Sequence, residues 1–205
     1  SGATQAVDLF TGTTRVAQEF KRRGLDVLAN DIATYSEVMA DCYIATDADA
    51  IKADELRAAL DDLNRLPGKR GYFTRTFCEE SRYFQPKNGA RVDAIREAID
   101  DRFSDSWMRP ILLTSLMLAA DRVDSTTGVQ MAYLKQWAPR AYNDLELRVP
   151  ELISGCGRSA RRDALELARE LPKTELMYLD PPYNQHRYFT NYHIWETLVR
   201  WDEPE

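Results

Sequence analysis

Apolar residues follow two different rhythms along this chain. Residues 6–10 (AVDLF) crowd them into a short run, the mark of a strand covered on both faces. Thr11-Gly12-Thr13-Thr14 interrupts the run as a tight turn, and residues 15–23 then place Val16, Ala17 and Phe20 on one helical face. Gly24 stops that helix. Residues 26–29 (DVLA) form a second short strand, closed by Asn30-Asp31. Strand, turn, helix and strand in so short a span make a βαβ unit, which implies parallel pairing and a right-handed crossover.

From residue 35 to about residue 150 the rhythm is helical, with stretches at 35–44, 54–63, 90–103 and 110–123. After Pro150 strand and helix alternate again. Residues 163–170 read as a short helix, 175–179 (ELMYL) as a strand and 191–200 as another helix. The pattern predicts an α/β sheet interrupted by a mostly helical insertion. The expected division is a sheet domain of residues 1–34 and 151–205 around an insertion of residues 35–150.

Composition adds limits. The 44% hydrophobic and 29% charged residues are those of an ordinary soluble globular chain, and 205 residues suffice for one domain with a large insertion. The apolar stretch at 111–120 is too short to span a membrane, and nothing reads as a signal peptide. Cys42, Cys78 and Cys156 are odd in number and form no CxxC pair, so reduced thiols and a cytoplasmic location are expected. His186 and His193 have no cysteine or acidic cluster at metal spacing, so no metal is expected. The net charge of −6 argues against a nucleic-acid partner, but a sum hides patches. Residues 65–91 hold seven Lys/Arg against two Glu, with Tyr72, Phe73, Phe77, Tyr83 and Phe84 among them. That segment is either a solvated loop with its aromatics tucked into the insertion's core, or a surface for phosphates and bases.

Two stretches are candidates for chemistry. In the turn after the first strand, Gly12 allows close backbone approach to a ligand at a helix N-terminus. Asp31, 19 residues on, ends the second strand where an acidic side chain meets ribose hydroxyls in nucleotide-binding βαβ units. Gly12 as a plain turn and Asp31 as a plain helix cap are the competing readings. The second stretch is Asp180-Pro181-Pro182-Tyr183. Proline fixes φ, lacks an N–H and restricts the residue before it, so the main chain here is stiff and rich in carbonyl acceptors. Such a corner at a strand's carboxyl end, beside an aromatic ring, suits a planar group with an amino substituent. A strand-ending turn is the structural alternative.

DPPY after a strand, downstream of D-x-F-x-G, resembles the adenine-specific DNA methyltransferases that use S-adenosylmethionine. It is similar above all to the Dam-type methylases and the modification methylases of type II restriction systems. The phrases DLFTGTTRVAQEFKRRG, VLANDI, AADRVDSTTGVQMAYLKQW, RDALELARELP and YLDPPYNQHRYFTNYHIWETLVRW carry the resemblance over most of the chain. It implies a Rossmann-like methyltransferase sheet. Asp8, Phe10 and Gly12 then fall on the cofactor motif beside the methionine part of S-adenosylmethionine. Asp31 matches the ribose-binding acid. Asp163 matches the acid at the cofactor's adenine, with an N-cap as its other reading. Asp180, Pro181, Pro182 and Tyr183 match the catalytic motif.

The implied reaction is methylation of the 6-amino group of an adenine flipped out of double-stranded DNA, with Tyr183 stacked on the base. The Asp180 carboxylate and the Pro181 carbonyl accept the amino hydrogens, and no metal or covalent intermediate is needed. This class places target recognition in an insertion before DPPY, which gives Lys69, Arg70, Arg75, Arg82 and Lys87 a role at DNA. Restriction-modification membership implies a cognate restriction endonuclease as a further partner. Family members usually begin with a Lys- and Gly-bearing segment and continue past DPPY with more sheet, so the chain reads as truncated at both ends. Methylation of cytosine's 4-amino group, methylation of RNA adenine, and a catalytically inactive DNA-binding fragment are the alternatives.

Overall fold

The computed structural model describes residues 2–182 and 188–204, and the chain divides into two compact units. The first comprises Ser1–Lys52 and Glu151–Gln185 and contains a parallel sheet. β1 (Gln5–Asp8) and β2 (Asp26–Asp31) lie at its centre. β3 (Gly157–Arg161) flanks β2 and β4 (Met177–Tyr178) flanks β1, giving the order β3-β2-β1-β4 among the described residues. Val7 pairs with Leu28 on one side and Met177 on the other. Both β1 and β2 read as apolar because neighbours cover them, and Ala6, Val7, Val27 and Ala29 are buried.

α1 (Arg15–Arg22) joins β1 to β2, and α2 (Thr34–Ala40) follows β2 and continues into a wider helical turn, Asp41–Ala45. That turn ends on the ammonium of Lys21. Buried to 1% exposure, its Nζ donates to the carbonyls of Tyr43 (3.2 Å), Ile44 (2.7 Å) and Thr46 (2.5 Å). A cation at a helix C-terminus meets the orphan carbonyls there. Gly157 opens β3 where a Cβ would strike Ile44 and the Val27 carbonyl, so the glycine permits the close approach. α7 (Ala164–Glu170) lays Leu167 against Val7 and Leu9.

Three features differ from the sequence reading. β3 (GRSAR) was not foreseen, because a partly exposed edge strand with two arginines has no apolar run to announce it. The strand expected at 175–179 pairs only through Met177–Tyr178, and Leu179 is 57% exposed. α2 packs on β2 and β3 rather than within the insertion, since its buried Tyr35, Val38 and Met39 form a face for the sheet.

The second unit comprises Ala53–Pro150 and His186–Glu205. It contains α3 (Ala53–Asn64), the short α4 (Tyr72–Thr74) with its wider continuation Arg75–Glu79, α5 (Pro86–Phe103), α6 (Arg109–Asp121) and α8 (His193–Arg200). α6 is the apolar stretch too short for a membrane. Ile111, Leu112, Leu113, Leu116 and Met117 are fully buried, as in the central helix of a core. No helix among the described residues is long and apolar enough to cross a membrane. α5 supplies two buried charges that hold its neighbours. Asp93 accepts the amides of Gly71, Phe73 and Thr74 and so starts α4. Arg96 donates to the carbonyls of Leu198 (2.7 Å) and Val199 (3.0 Å) and so ends α8.

Candidate active site

β1 ends on Asp8 and β2 on Asp31, while β3 and β4 end two positions before Asp163 and Asp180. Because the strands are parallel, these aspartates stand along one sheet edge in the order Asp163, Asp31, Asp8, Asp180. It is the carboxyl edge, beyond which open parallel sheets bind their ligands.

Asp8 is the buried member, 1% exposed. Its Oδ2 accepts from the Thr11 hydroxyl at 3.1 Å, whereas Oδ1 is buried with no hydrogen-bond partner among the described residues. Loss of solvation outweighs the Thr11 bond and the favourable backbone groups of Phe10 and Ala17, and pushes the carboxyl up from an ordinary 3.8 to about 6. Beyond Asp8 the chain turns sharply. Thr11 N donates to Asn30 O (2.9 Å) and Thr14 N to Thr11 O (2.7 Å). Gly12 sits at φ +51°, and a Cβ there would meet nothing within 4 Å, so open space lies beside the backbone. Thr14 also takes a left-handed φ of 64°, a strained conformation for a β-branched residue, and its hydroxyl is held between Thr13 O and Gln18 Nε2. No side chain caps α1, whose first turn follows directly. Phe10 packs against the Val7–Leu9–Leu167 core.

Asp31 is tied to this turn. Its Oδ2 accepts from Gly12 N at 2.9 Å and its Oδ1 from Ala33 N at 3.1 Å, so one carboxylate joins the β1 turn to the start of α2. Asn30, fully buried, does the same for three strand ends. Its Nδ2 donates to Leu9 O and Arg162 O, each at 3.1 Å, and its Oδ1 accepts from Arg162 N. Asp163 is exposed and caps α7, with Oδ1 accepting the amides of Leu165 (2.9 Å) and Glu166 (3.0 Å). Asp180, Pro181 and Pro182 are exposed at the end of β4. The Asp180 charge, ahead of burial and the charge of Asp8, holds the Tyr178 hydroxyl above its ordinary range. Tyr183 lies outside the described residues. Asn30, Thr11, Thr14 and Tyr178 escaped the sequence reading. Only the polar Asn30 between apolar Ala29 and the turn offered a signal.

The basic residues of segment 65–91 are at the surface of the second unit, and each already has a partner. Lys69 pairs with Glu97 (2.6 Å), Arg70 with both oxygens of Glu79 (2.8 and 2.5 Å) and Lys87 with Asp144 (2.6 Å). Arg75 lies 3.9 Å from Glu80 and over the Tyr72 ring, while Arg82 donates to Lys135 O and covers Trp137 at 4.8 Å. Phe73, Phe77 and Phe84 are buried. The aromatics are thus tucked into the unit's core, as the first of the two readings has it, and the cations lie outside on partners of the same chain. No group of His, Cys, Asp and Glu among the described residues is arranged to hold a metal.

A family model of the D12 class N6 adenine-specific DNA methyltransferases matches residues 1–205. The chain belongs to this family. It is 34% identical over 206 residues to the type II methyltransferase M.NlaIII of Neisseria lactamica, covering 96% of this chain and 60% of that protein. The type II methyltransferase M.CviAII of Paramecium bursaria Chlorella virus 1 is 31% identical over 96% of this chain and 61% of its own length. The modification methylase StsI of Streptococcus sanguinis is 30% identical over 97% of this chain and 32% of its own length. The chain therefore spans from about a third to about three fifths of the length of these relatives. No solved structure matches it. The resemblance read from DLFTG and DPPY was to adenine-specific DNA methyltransferases, to which the D12 class belongs, and the parallel sheet is the α/β architecture expected of it.

Proposed function

We propose that this chain carries the catalytic centre of a DNA methyltransferase that uses S-adenosylmethionine to methylate the 6-amino group of adenine. One observation carries the reading most directly: each strand of the sheet leads, at its end or two positions later, to an aspartate at the ligand-binding edge. Family membership supplies the reaction class. The residues fit the cofactor. Gly12 leaves open space beside the turn, and the partnerless Oδ1 of Asp8 is an acceptor suited to a cationic methionine portion. Asp8, Phe10 and Gly12 would hold that portion, Asp31 the ribose, and Asp163 the adenine amino group beside its cap. S-adenosylmethionine, when bound, supplies an electrophilic sulfonium methyl.

The chain's own part is to prepare and place the target nitrogen. An adenine 6-amino group is a weak nucleophile because its lone pair is delocalised into the ring. The Asp180 carboxylate and Pro181 carbonyl accept its two hydrogens, which localises the lone pair and aims it. Two successive prolines keep those acceptors still, so little reorganisation accompanies reaction. Pro182 completes that stiff corner, and the stacking role of Tyr183 rests on the sequence motif. Lys69, Arg70, Arg75, Arg82 and Lys87 contact the phosphates of double-stranded DNA by exchanging surface ion pairs that are individually weak. The protein acts in the cytoplasm as the modification half of a restriction-modification pair, with a restriction endonuclease as counterpart.

The deciding experiment is transfer of labelled methyl from S-adenosylmethionine to duplex DNA, with nucleoside analysis of the product. N6-methyladenine is expected. Label in cytosine alone, or in RNA and not DNA, refutes the reading. Asp180→Ala should abolish transfer while cofactor affinity stays within about threefold, since its partner is the base.

A further inference from the structure

Among the described residues, Thr14 is the one fully buried residue other than glycine with a left-handed backbone, at φ 64°. Trp201 and Glu203 also have positive φ but are not buried. A β-branched side chain makes that conformation unfavourable, and such strain persists only where the surroundings over-determine it. Here the hydroxyl does so. It donates to Thr13 O (2.7 Å) and accepts from Nε2 of Gln18 (2.8 Å), a side chain that is itself buried. A threonine that starts a helix ordinarily takes an extended φ, and its hydroxyl oxygen accepts an amide of the first helical turn. This hydroxyl is committed elsewhere, and α1 begins without a side-chain cap.

The strained residue closes a turn that touches two acids of the proposed cofactor site. Thr14 N donates to Thr11 O at 2.7 Å, the Thr11 hydroxyl to Asp8 Oδ2 at 3.1 Å, and Gly12 N to Asp31 Oδ2 at 2.9 Å. The backbone of Ala17, in the uncapped first turn of α1, favours the charged form of Asp8. That same carboxylate keeps its Oδ1 buried with no partner among the described residues. We infer that Thr14 is a positioning residue whose hydroxyl locks the turn from Thr11 to Thr14 in its cofactor-receiving conformation before S-adenosylmethionine arrives. The inference rests on the function proposed above, which puts the cofactor at this turn. Without the hydroxyl, residue 14 is free to leave the left-handed region, and the turn samples other shapes. Apparent affinity falls in proportion to the fraction of chains still in the receptive shape, so a tenth populated means a loss of about tenfold.

The test compares Thr14→Ala, which keeps the Cβ and loses the hydroxyl, with Thr14→Ser, which keeps the hydroxyl. S-adenosylmethionine binding is measured by calorimetry, and amide exchange at positions 12 and 14 is followed with and without the cofactor. In the free wild-type chain both amides should already be protected. Thr14→Ala should bind about five- to tenfold more weakly, with faster exchange at both amides when free and wild-type protection at saturating cofactor. Thr14→Ser should stay within about twofold of wild type in affinity. Wild-type affinity in Thr14→Ala, equal losses in both variants, or exchange that stays fast in cofactor-saturated Thr14→Ala overturns the role of Thr14. Amides already unprotected in the free wild-type chain overturn it without any variant. Each of these results leaves the cofactor site in place. A wild-type chain that binds no S-adenosylmethionine overturns that site, and this inference with it.

Discussion

Asp8→Asn separates the contribution of Asp8 to function from its effect on stability. In the folded chain burial raises the Asp8 carboxyl from an ordinary 3.8 to about 6. Below pH 3.8 both folded and unfolded chains hold the proton, and the site is neutral to folding. As pH rises, the unfolded chain releases its proton first, so the folded state loses stability until pH passes 6. From 3.8 to about 6, at about 1.36 kcal/mol per pH unit, the full loss is about 3 kcal/mol. About 2 kcal/mol of it falls between pH 4.5 and 7.5. Asparagine does not titrate, so the variant escapes this loss. Its carboxamide nitrogen needs an acceptor in a buried site, which makes absolute stability a poor readout. The readout is the pH dependence of the difference. Thermal melts of the two proteins should diverge by about 4–8 °C in favour of Asp8→Asn on going from pH 4.5 to 7.5. Cofactor affinity at pH 7.5 should meanwhile fall, because the ionised acceptor is gone. Melting curves that stay parallel across this range would refute the assignment of a raised pKa, and with it the idea that the site stores an unpaid desolvation cost for its ligand.

Three more expectations follow from the geometry. Asp31→Ala removes the acceptor of Gly12 N and Ala33 N and should weaken S-adenosylmethionine binding at least about tenfold by calorimetry, and unchanged affinity would contradict its place in the site. Glu79→Gln and Glu97→Gln release Arg70 and Lys69 from their carboxylates. If those cations meet phosphate, DNA binding at low salt should tighten and its salt dependence steepen by up to about one counterion for each freed cation, whereas no change in either places them away from DNA. Arg96→Met removes the N–H donors to two α8 carbonyls and leaves Asp100 with only Arg109 of its two cations. The cost should be about 3 kcal/mol, read as a Tm lower by about 6–12 °C, and a loss under about 2 °C would show that the cap contributes little.

Much of the first unit was legible because its central strands are covered on both faces. AVDLF and DVLA carry dense apolar residues for that reason, and Gly24 stops α1 by local conformation alone. β3 was not legible, because an edge strand reading Gly-Arg-Ser-Ala-Arg owes its place to the ladder with β2 and to the space its glycine leaves for Ile44. The four aspartates of the carboxyl edge were legible as motif positions, but not what each one touches. That Asp31 ties Gly12 to Ala33, or that Asp8 lacks a partner on one oxygen, follows from packing across strands far apart in sequence. The same holds for Asp93 and Arg96. Each completes a helix end, 19 and 103 residues away, and no local pattern marks a residue that serves a distant terminus. A surplus of cations in segment 65–91 was visible, while their carboxylate partners Glu97 and Asp144 lay beyond it.

The strand order has a consequence for synthesis. β1 is central, yet its partner on one side, β4, is encoded 170 residues later, since Val7 pairs with Met177. At about 5–20 residues per second a ribosome takes roughly 10–35 s to cover that distance. Throughout that interval β1 can pair with β2 while its other edge presents unpaired amides and carbonyls. Most of the helical second unit, residues 53–150, emerges before the sheet can close, and only α8 and its flanks follow β4. An exposed parallel edge of this kind is a template for foreign strands. The nascent chain is therefore most prone to aggregation before Met177 leaves the ribosome, and the length of the insertion sets how long that exposure lasts.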